Sequence, residues 1–169
     1  MKLIPYKGIL PKIDPSVFVL DGSFISGDVT IEKNVNIWFN VSIRGDMDRI
    51  TIGENTNIQD NAVIHVNTNT PTVIGKNVTV GHNAIIHGAT VGDNCLIGMG
   101  SILLDHSIVE EGATVGAGCL VPPGKVVPKG MLAIGNPMKI VRPLTEAELQ
   151  ANQRNIQSYL DLAREYEKA

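Results

Sequence analysis

The sequence predicts an all-β solenoid followed by a C-terminal α-helix. Three observations carry that prediction: an aliphatic residue at every sixth position, a turn-forming residue three places after most of them, and a composition rich in β-branched and poor in aromatic residues. The chain has 169 residues, the size of one ordinary domain. Ile and Val fill 37 positions, Gly 17 and Asn 14, whereas aromatics make up 4%. A core of this kind packs many similar branched side chains, which favours strands over helices.

The aliphatic column runs through Ile13, Val19, Ile25, Ile31, Ile37 and Ile43. It resumes at Ile52, Ile58 and Ile64, then at Ile74, Val80 and Ile86, and continues from Val91 in six-residue steps to Ala133. Three interruptions break it: three extra residues after Ile43, four extra after Ile64 and one missing after Ile86. Three places on come Asp28, Asn34, Asn40, Asp46, Asn55, Asn61, Asn67, Asn77, Asn83 and Asn94, then glycines from Gly100 to Gly130 interrupted by His106, and finally Asn136. These residue types accept φ > 0 with least strain, so each marks a corner, His106 included. The next position is small or branched, as in Ser23, Val41, Ala62, Cys95 and Cys119, and suits a crowded interior. A short strand and a corner every six residues, with three hexads per coil, describes a triangular prism. About seven coils at ~4.8 Å each make it roughly 30 to 35 Å tall.

After Pro143 the period becomes helical. Thr145 and Glu148 have the spacing of a capping box, and Leu149, Ile156, Leu160 and Ala163 share one face. Residues 1–143 are therefore expected to form the solenoid and residues 144–169 an amphipathic helix in the same domain. The helix should run from Glu146 to about Lys168, along one face and over the open end.

Net charge −3 with scattered Lys and Arg argues against nucleic acid and for a small-molecule substrate. No apolar run reaches the ~18 residues that span a bilayer, so no membrane partner is expected. Two cysteines are too few for a disulfide framework, and the N-terminal stretch MKLIPYKGILPKI lacks the apolar segment of an export signal. A reducing, cytoplasmic location is expected.

The repeat also places the histidines. His65 follows Ile64 and His87 follows Ile86, so both occupy one outward column on adjacent coils, ~5 Å apart at the backbone. That spacing suits two ligands of one metal ion. His82 lies one face earlier, on the order of 12 to 16 Å from His87 along the chain path. If all three bind one ion, His82 must come from a neighbouring subunit, and a three-fold ring of prisms supplies it.

The hexads IGENTN, IGKNVT and VGDNCL resemble the hexapeptide-repeat family, which implies a left-handed parallel β-helix. Within it, IRGD (43–46), NIQDNAVIH (57–65), PTVIG (71–75), VGHNAIIHG (80–88) and CLIGMGSILLD (95–105) resemble the γ-class carbonic anhydrases over nearly the whole chain. That resemblance implies that His65, His82 and His87 bind zinc, or iron or cobalt, at the interfaces of a homotrimer, with His82 contributed by the adjacent subunit. It further implies that Arg44 and Asp46 tie subunits together beside the metal, that Gln59 orients metal-bound hydroxide, and that Asn57 helps place the substrate. Asp60 shares the column of His82 one coil below, as its hydrogen-bond partner or an interface anchor. Tyr159 and Asn155 match residues that point into the site in some relatives; packing in the core is an equal reading for Tyr159.

The implied reaction is attack of metal-bound hydroxide on carbon dioxide, giving bicarbonate. The chain departs from the best-characterised members at Met47, where they carry a glutamate, and in VNTNTPT (66–72), which has no acidic proton carrier. Weak hydration is therefore expected. The alternatives are a metal-dependent thioester hydrolase, a hexapeptide acyltransferase using coenzyme A, and a non-catalytic trimeric assembly protein.

Overall fold

The computed structural model describes residues 2–168, so the bounds 1 and 169 of the expected segments lie outside the described residues. The chain winds into a left-handed parallel β-helix with three faces. An 8-stranded sheet forms one face, and a 12-stranded sheet bends over the other two. The bend exists because two strands, Phe24–Ile31 and Ser42–Ile52, run through a corner instead of breaking at it.

The interior column is closed. Ile25, Ile37, Ile43, Ile58, Ile64, Ile86, Ile97 and Leu103 are each buried to 1% exposure or less, as are Ser23, Ala62, Cys95, Ser101 and Cys119 in the adjoining column. Interior hydroxyls meet corner carbonyls: Ser23 Oγ donates to Trp38 O at 2.7 Å and Ser101 Oγ to Gly116 O at 2.9 Å. Both cysteines are free and buried, and burial pushes the Cys95 thiol up to about 12.

Corners fall where the turn residues predict them, with four exceptions. Asn34, Asn40, Asn55, Asn61, Asn77, Asn83, Asn94 and His106 have φ between +54° and +61°. Along one corner the asparagines bond coil to coil, Asn34 to Asn55 at 3.1 Å, Asn55 to Asn77 at 3.1 Å and Asn77 to Asn94 at 3.2 Å. Asp28, Asp46, Asn67 and Asn136 do not take the left-handed conformation expected of them. Gly27, Asn69 and Gly135 turn near the first, third and fourth. Asp46 lies inside the continuous strand Ser42–Ile52, whose three extra residues carry it past the corner in extended form.

The C-terminal end also differs from the sequence reading. Strand Met131–Ile134 pairs antiparallel with Lys139–Pro143, so a hairpin ends the 8-stranded sheet. The helix Glu146–Tyr166 then lies along that sheet, contacting strands Asn36–Ile37, Asn57–Ile58 and Thr79–Val80. Ile156 and Ala163 are buried beneath it, and Leu149 and Leu160 are half-buried. Trp38 receives Phe18, Tyr159 and Tyr166 edge-on, with ring centroids 5.7, 5.4 and 5.5 Å away. Among the described residues no helix is long and apolar enough to cross a membrane.

The helix start is held electrostatically. Thr145 and Glu148 form the full capping box, and Arg142 of the hairpin donates two hydrogen bonds of 2.8 Å to the same carboxylate. The guanidinium, then the Thr145 N–H and hydroxyl, hold Glu148 far below the usual carboxylate range. A carboxyl lowered in the folded state adds stability above its ordinary pKa and loses it as pH falls through the folded value. Glu148→Gln should therefore lower the Tm at pH 7, and the gap to the parent should narrow as pH drops below about 4.5. Thermal melts from pH 7 to pH 2 check this; a gap independent of pH would exclude the charge as its source.

Candidate metal centre

The register of the 12-stranded sheet sets Arg44 opposite His65 and His65 opposite His87 on three consecutive coils. Their aliphatic predecessors Ile43, Ile64 and Ile86 point inward, so these three side chains project from the face. His65 Nε2 lies 3.0 Å from Asp46 Oδ1, His65 Nδ1 lies 3.1 Å from His87 Nε2, and His87 Nδ1 lies 2.6 Å from Asp105 Oδ1. Two imidazoles thus stand between two carboxylates, with the second nitrogen of each ring turned to the other.

Both carboxylates are below their ordinary pKa. At Asp46 burial acts upward but is outweighed by the hydrogen bonds from His65 and Arg44. At Asp105 the hydrogen bond from Asn67 is the leading cause; burial opposes it and His87 reinforces it. Asn67 Nδ2 donates to Asp105 Oδ2 at 2.9 Å, leaving Oδ1 for His87. The Asp46 carboxylate is also paired with Arg44 of its own chain. Asp46 and Arg44 therefore have a role within the subunit that the resemblance did not assign.

Asp105 and Asn67 are site residues that the sequence reading missed. The signal lay in the register. Leu103 pairs with Ile86, which sets Asp105 opposite Gly88, the residue after His87. Gly88 has φ +57°, and a Cβ there would stand 2.5 Å from Asp105 Oδ1. Only glycine leaves the carboxylate its place against His87.

His82 sits on a different edge, between the helix-covered face and the histidine face. Its Nδ1 lies 2.7 Å from Asp60 Oδ2, which leaves Nε2 as the nitrogen turned away from Asp60. Around it is a cleft of about 390 Å³ lined by Gln59, Thr79, Leu96, Met99, Asn155 and Tyr159 among others. Gln59 is 5% exposed and donates from Nε2 to Asn57 Oδ1 at 3.0 Å. Asn57, fully buried, donates to Thr79 Oγ1 at 2.9 Å, and Asn155 donates to the same oxygen at 3.1 Å. Tyr159 both lines this cleft and packs on Trp38; burial, and then the charge of Asp60, raise its phenol above its ordinary pKa.

One chain therefore brings His65 and His87 together and holds His82 apart with Gln59, Asn57 and Tyr159. Among the described residues no group of three or more His, Cys, Asp or Glu side chains is arranged to hold a metal ion. The donor set does fit zinc in part. Bonds of 2.0–2.1 Å at a tetrahedral angle place two ligating nitrogens about 3.3 Å apart. The two facing histidine nitrogens stand at 3.1 Å.

Residues 71–105 match the family described as the hexapeptide repeat of succinyl-transferase. A carbonic anhydrase of Geobacillus kaustophilus is 47% identical over 97% of this chain and 90% of its own length. The mitochondrial gamma carbonic anhydrase 2 of Arabidopsis thaliana is 44% identical over 90% of this chain, which spans 57% of that relative's length. The crystal structure of a hexapeptide transferase family protein from Anaplasma phagocytophilum is 45% identical, with a TM-score of 0.94 over 97% of each chain. A repeat register, a histidine column and a whole-chain likeness agree on one conclusion: the chain belongs to the γ-class carbonic anhydrase-like family of hexapeptide-repeat β-helix proteins.

Proposed function

We propose that this protein is a metal-dependent carbonic anhydrase that hydrates carbon dioxide weakly, as a cytoplasmic homotrimer. The observation that carries the reading is the pair of facing nitrogens of His65 and His87, 3.1 Å apart and each backed by a carboxylate. Zinc, with iron or cobalt as substitutes, would be held by these two histidines and by His82 of the next subunit. When bound, such an ion would lower the pKa of water to about 7 and so supply hydroxide at neutral pH.

The chain's own residues do the rest. Asp46, Asp60 and Asp105 each engage one ring nitrogen of His65, His82 and His87, which fixes the ring and leaves the other nitrogen free to ligate. Gln59 donates its amide N–H to Asn57, so its carbonyl oxygen is left to accept a proton-bearing oxygen at the cleft. Asn57 is thereby a support for Gln59, and Tyr159 offers a protonated hydroxyl at the same cleft. Arg44, paired with Asp46 through one nitrogen and 52% exposed, keeps its other guanidinium donors for a contact across a subunit boundary.

The hexapeptide acyltransferase reading has one point in its favour, the transferase wording of a solved relative and of the repeat family. Such enzymes need one histidine as a general base, whereas here His65 and His87 face each other with ring nitrogens 3.1 Å apart, the spacing of two ligands of one ion.

Metal analysis of the purified trimer should give about one ion per interface, and His65→Ala, His82→Ala or His87→Ala should abolish it; unchanged occupancy would sink the site. Randomly mixed trimers of His82→Ala and His87→Ala chains should recover about a quarter of the sites, because the two losses fall on opposite sides of each interface. Recovery of none would place all ligands in one chain. Asp105→Asn should weaken zinc binding roughly 10- to 100-fold in a chelator competition, since a lost carboxylate partner costs that much at metal-bound histidines. Met47, 49% exposed, and the loop at 66–72 carry no acid to export a proton. Stopped-flow hydration should therefore rise several-fold with buffer concentration, and a fast rate without added buffer would show another proton route.

A further inference from the structure

Carbon dioxide needs a space on the order of one or two water molecules, ~30 to 60 Å³. The cleft beside His82 is about 390 Å³, inside the range of sites that hold small organic ligands. Its shape follows from one column of the helix-covered face. Coil-to-coil bonding stacks Trp38, Gln59, Gly81, Gly98 and Gly116 in that order. A Cβ on Gly81 or Gly98 would stand 2.7 or 2.5 Å from the backbone nitrogen of Met99 or Ala117 in the coil above. No side chain fits there, so beyond Gln59 the floor is bare backbone.

The walls are polar at one end only. Near His82 stand Gln59, Thr79, Asn155 and Tyr159; one coil on the lining is Leu96 and Met99, and two coils on it is Ala117. Thr79 Oγ1 already accepts from Asn57 and Asn155, so its own proton points to a third acceptor. The histidine column continues in the same sense. Register carries it from His87 to Leu104 and Pro122, both apolar. In the proposed trimer those two would flank Met99 and Ala117, just as His65 and His87 flank His82.

We propose that this cleft takes a carboxylate or acyl group carried on an unbranched aliphatic arm, with the oxygen-bearing head at the metal centre and the arm along the glycine floor. The proposal rests on the metal reading above for its head group and on the glycine column for its arm. From the coil of His82 to that of Ala117 is about 10 Å, two strand spacings. That length holds an extended chain of about seven carbons.

The test is calorimetric titration of the zinc-loaded full chain with linear carboxylates from acetate to decanoate. Affinity should rise about fourfold per methylene, the value of a buried CH₂, and level off near seven carbons. Ala117→Phe fills the far end and should shorten that rise by several carbons. An affinity independent of chain length would overturn the proposal and mean that the neighbouring subunit fills the cleft. A chain-length rise unchanged in Ala117→Phe would overturn it too. The same series on His82→Ala separates the two readings. If the metal reading fails and the arm site is real, the rise persists with equal affinities in both proteins; if the arm site fails, neither protein shows a rise.

Discussion

Parallel stacking of each coil on the one below, at a single strand spacing, is the constraint from which the rest of this structure follows. It requires an interior small enough to close every six residues, and the Ile, Val, Ala, Ser and Cys columns meet that requirement. It also turns each outward position into a ladder whose members lie ~4.8 Å apart. One ladder is Asn34, Asn55, Asn77 and Asn94, joined amide to amide. Another is Arg44, His65 and His87. The same rule makes a structural seam of the first and a ligand pair of the second.

The scarcity of aromatic rings has its explanation in the same geometry. A triangular core of this width has no room for them, and five of the seven gather outside it, where Phe18, Trp38, Phe39, Tyr159 and Tyr166 join the helix to the sheet. That contact sets the position of the helix along the prism axis, and with it Asn155 and Tyr159 at the cleft. The ion pair of Arg142 with Glu148 fixes the other end of the helix to the terminal hairpin. The helix is thus a wall of the candidate site as well as cover for an apolar face.

The features legible in the sequence are those that depend only on period. Ile64 and Ile86 being interior dictates that His65 and His87 project together, and the column shared by Asp60 and His82 becomes a contact of 2.7 Å. Features that depend on an interruption were harder to read. Asp46 and Asn67 occupy corner positions by count, yet the insertion beside Asp46 leaves its strand extended and the one beside Asn67 moves the left-handed residue to Asn69, which frees both side chains. The hairpin at Lys139–Pro143 was missed because its alternation is too short to contrast with the hexads before it. Asp105 was passed over because its partner, Gly88, shows its importance only through the space it leaves.

These interruptions are what convert a regular ladder into a site. In an unbroken hexad the corner residue is an asparagine, glycine or His106 at φ > 0, and its side chain is not engaged with the column of His65 and His87. The insertion after Ile43 lets a strand run through its corner, which brings Asp46 to His65. The insertion after Ile64 supplies Asn67, whose amide binds one oxygen of Asp105 and leaves the other for His87. The deletion after Ile86 puts Gly88 at the turn and makes room for that oxygen. Each departure from the period supplies or orients a carboxylate next to an imidazole. A perfectly periodic version of this chain would keep its fold and its histidine column, and would lose Asp46 from His65 and the Asn67 and Gly88 that orient Asp105 toward His87.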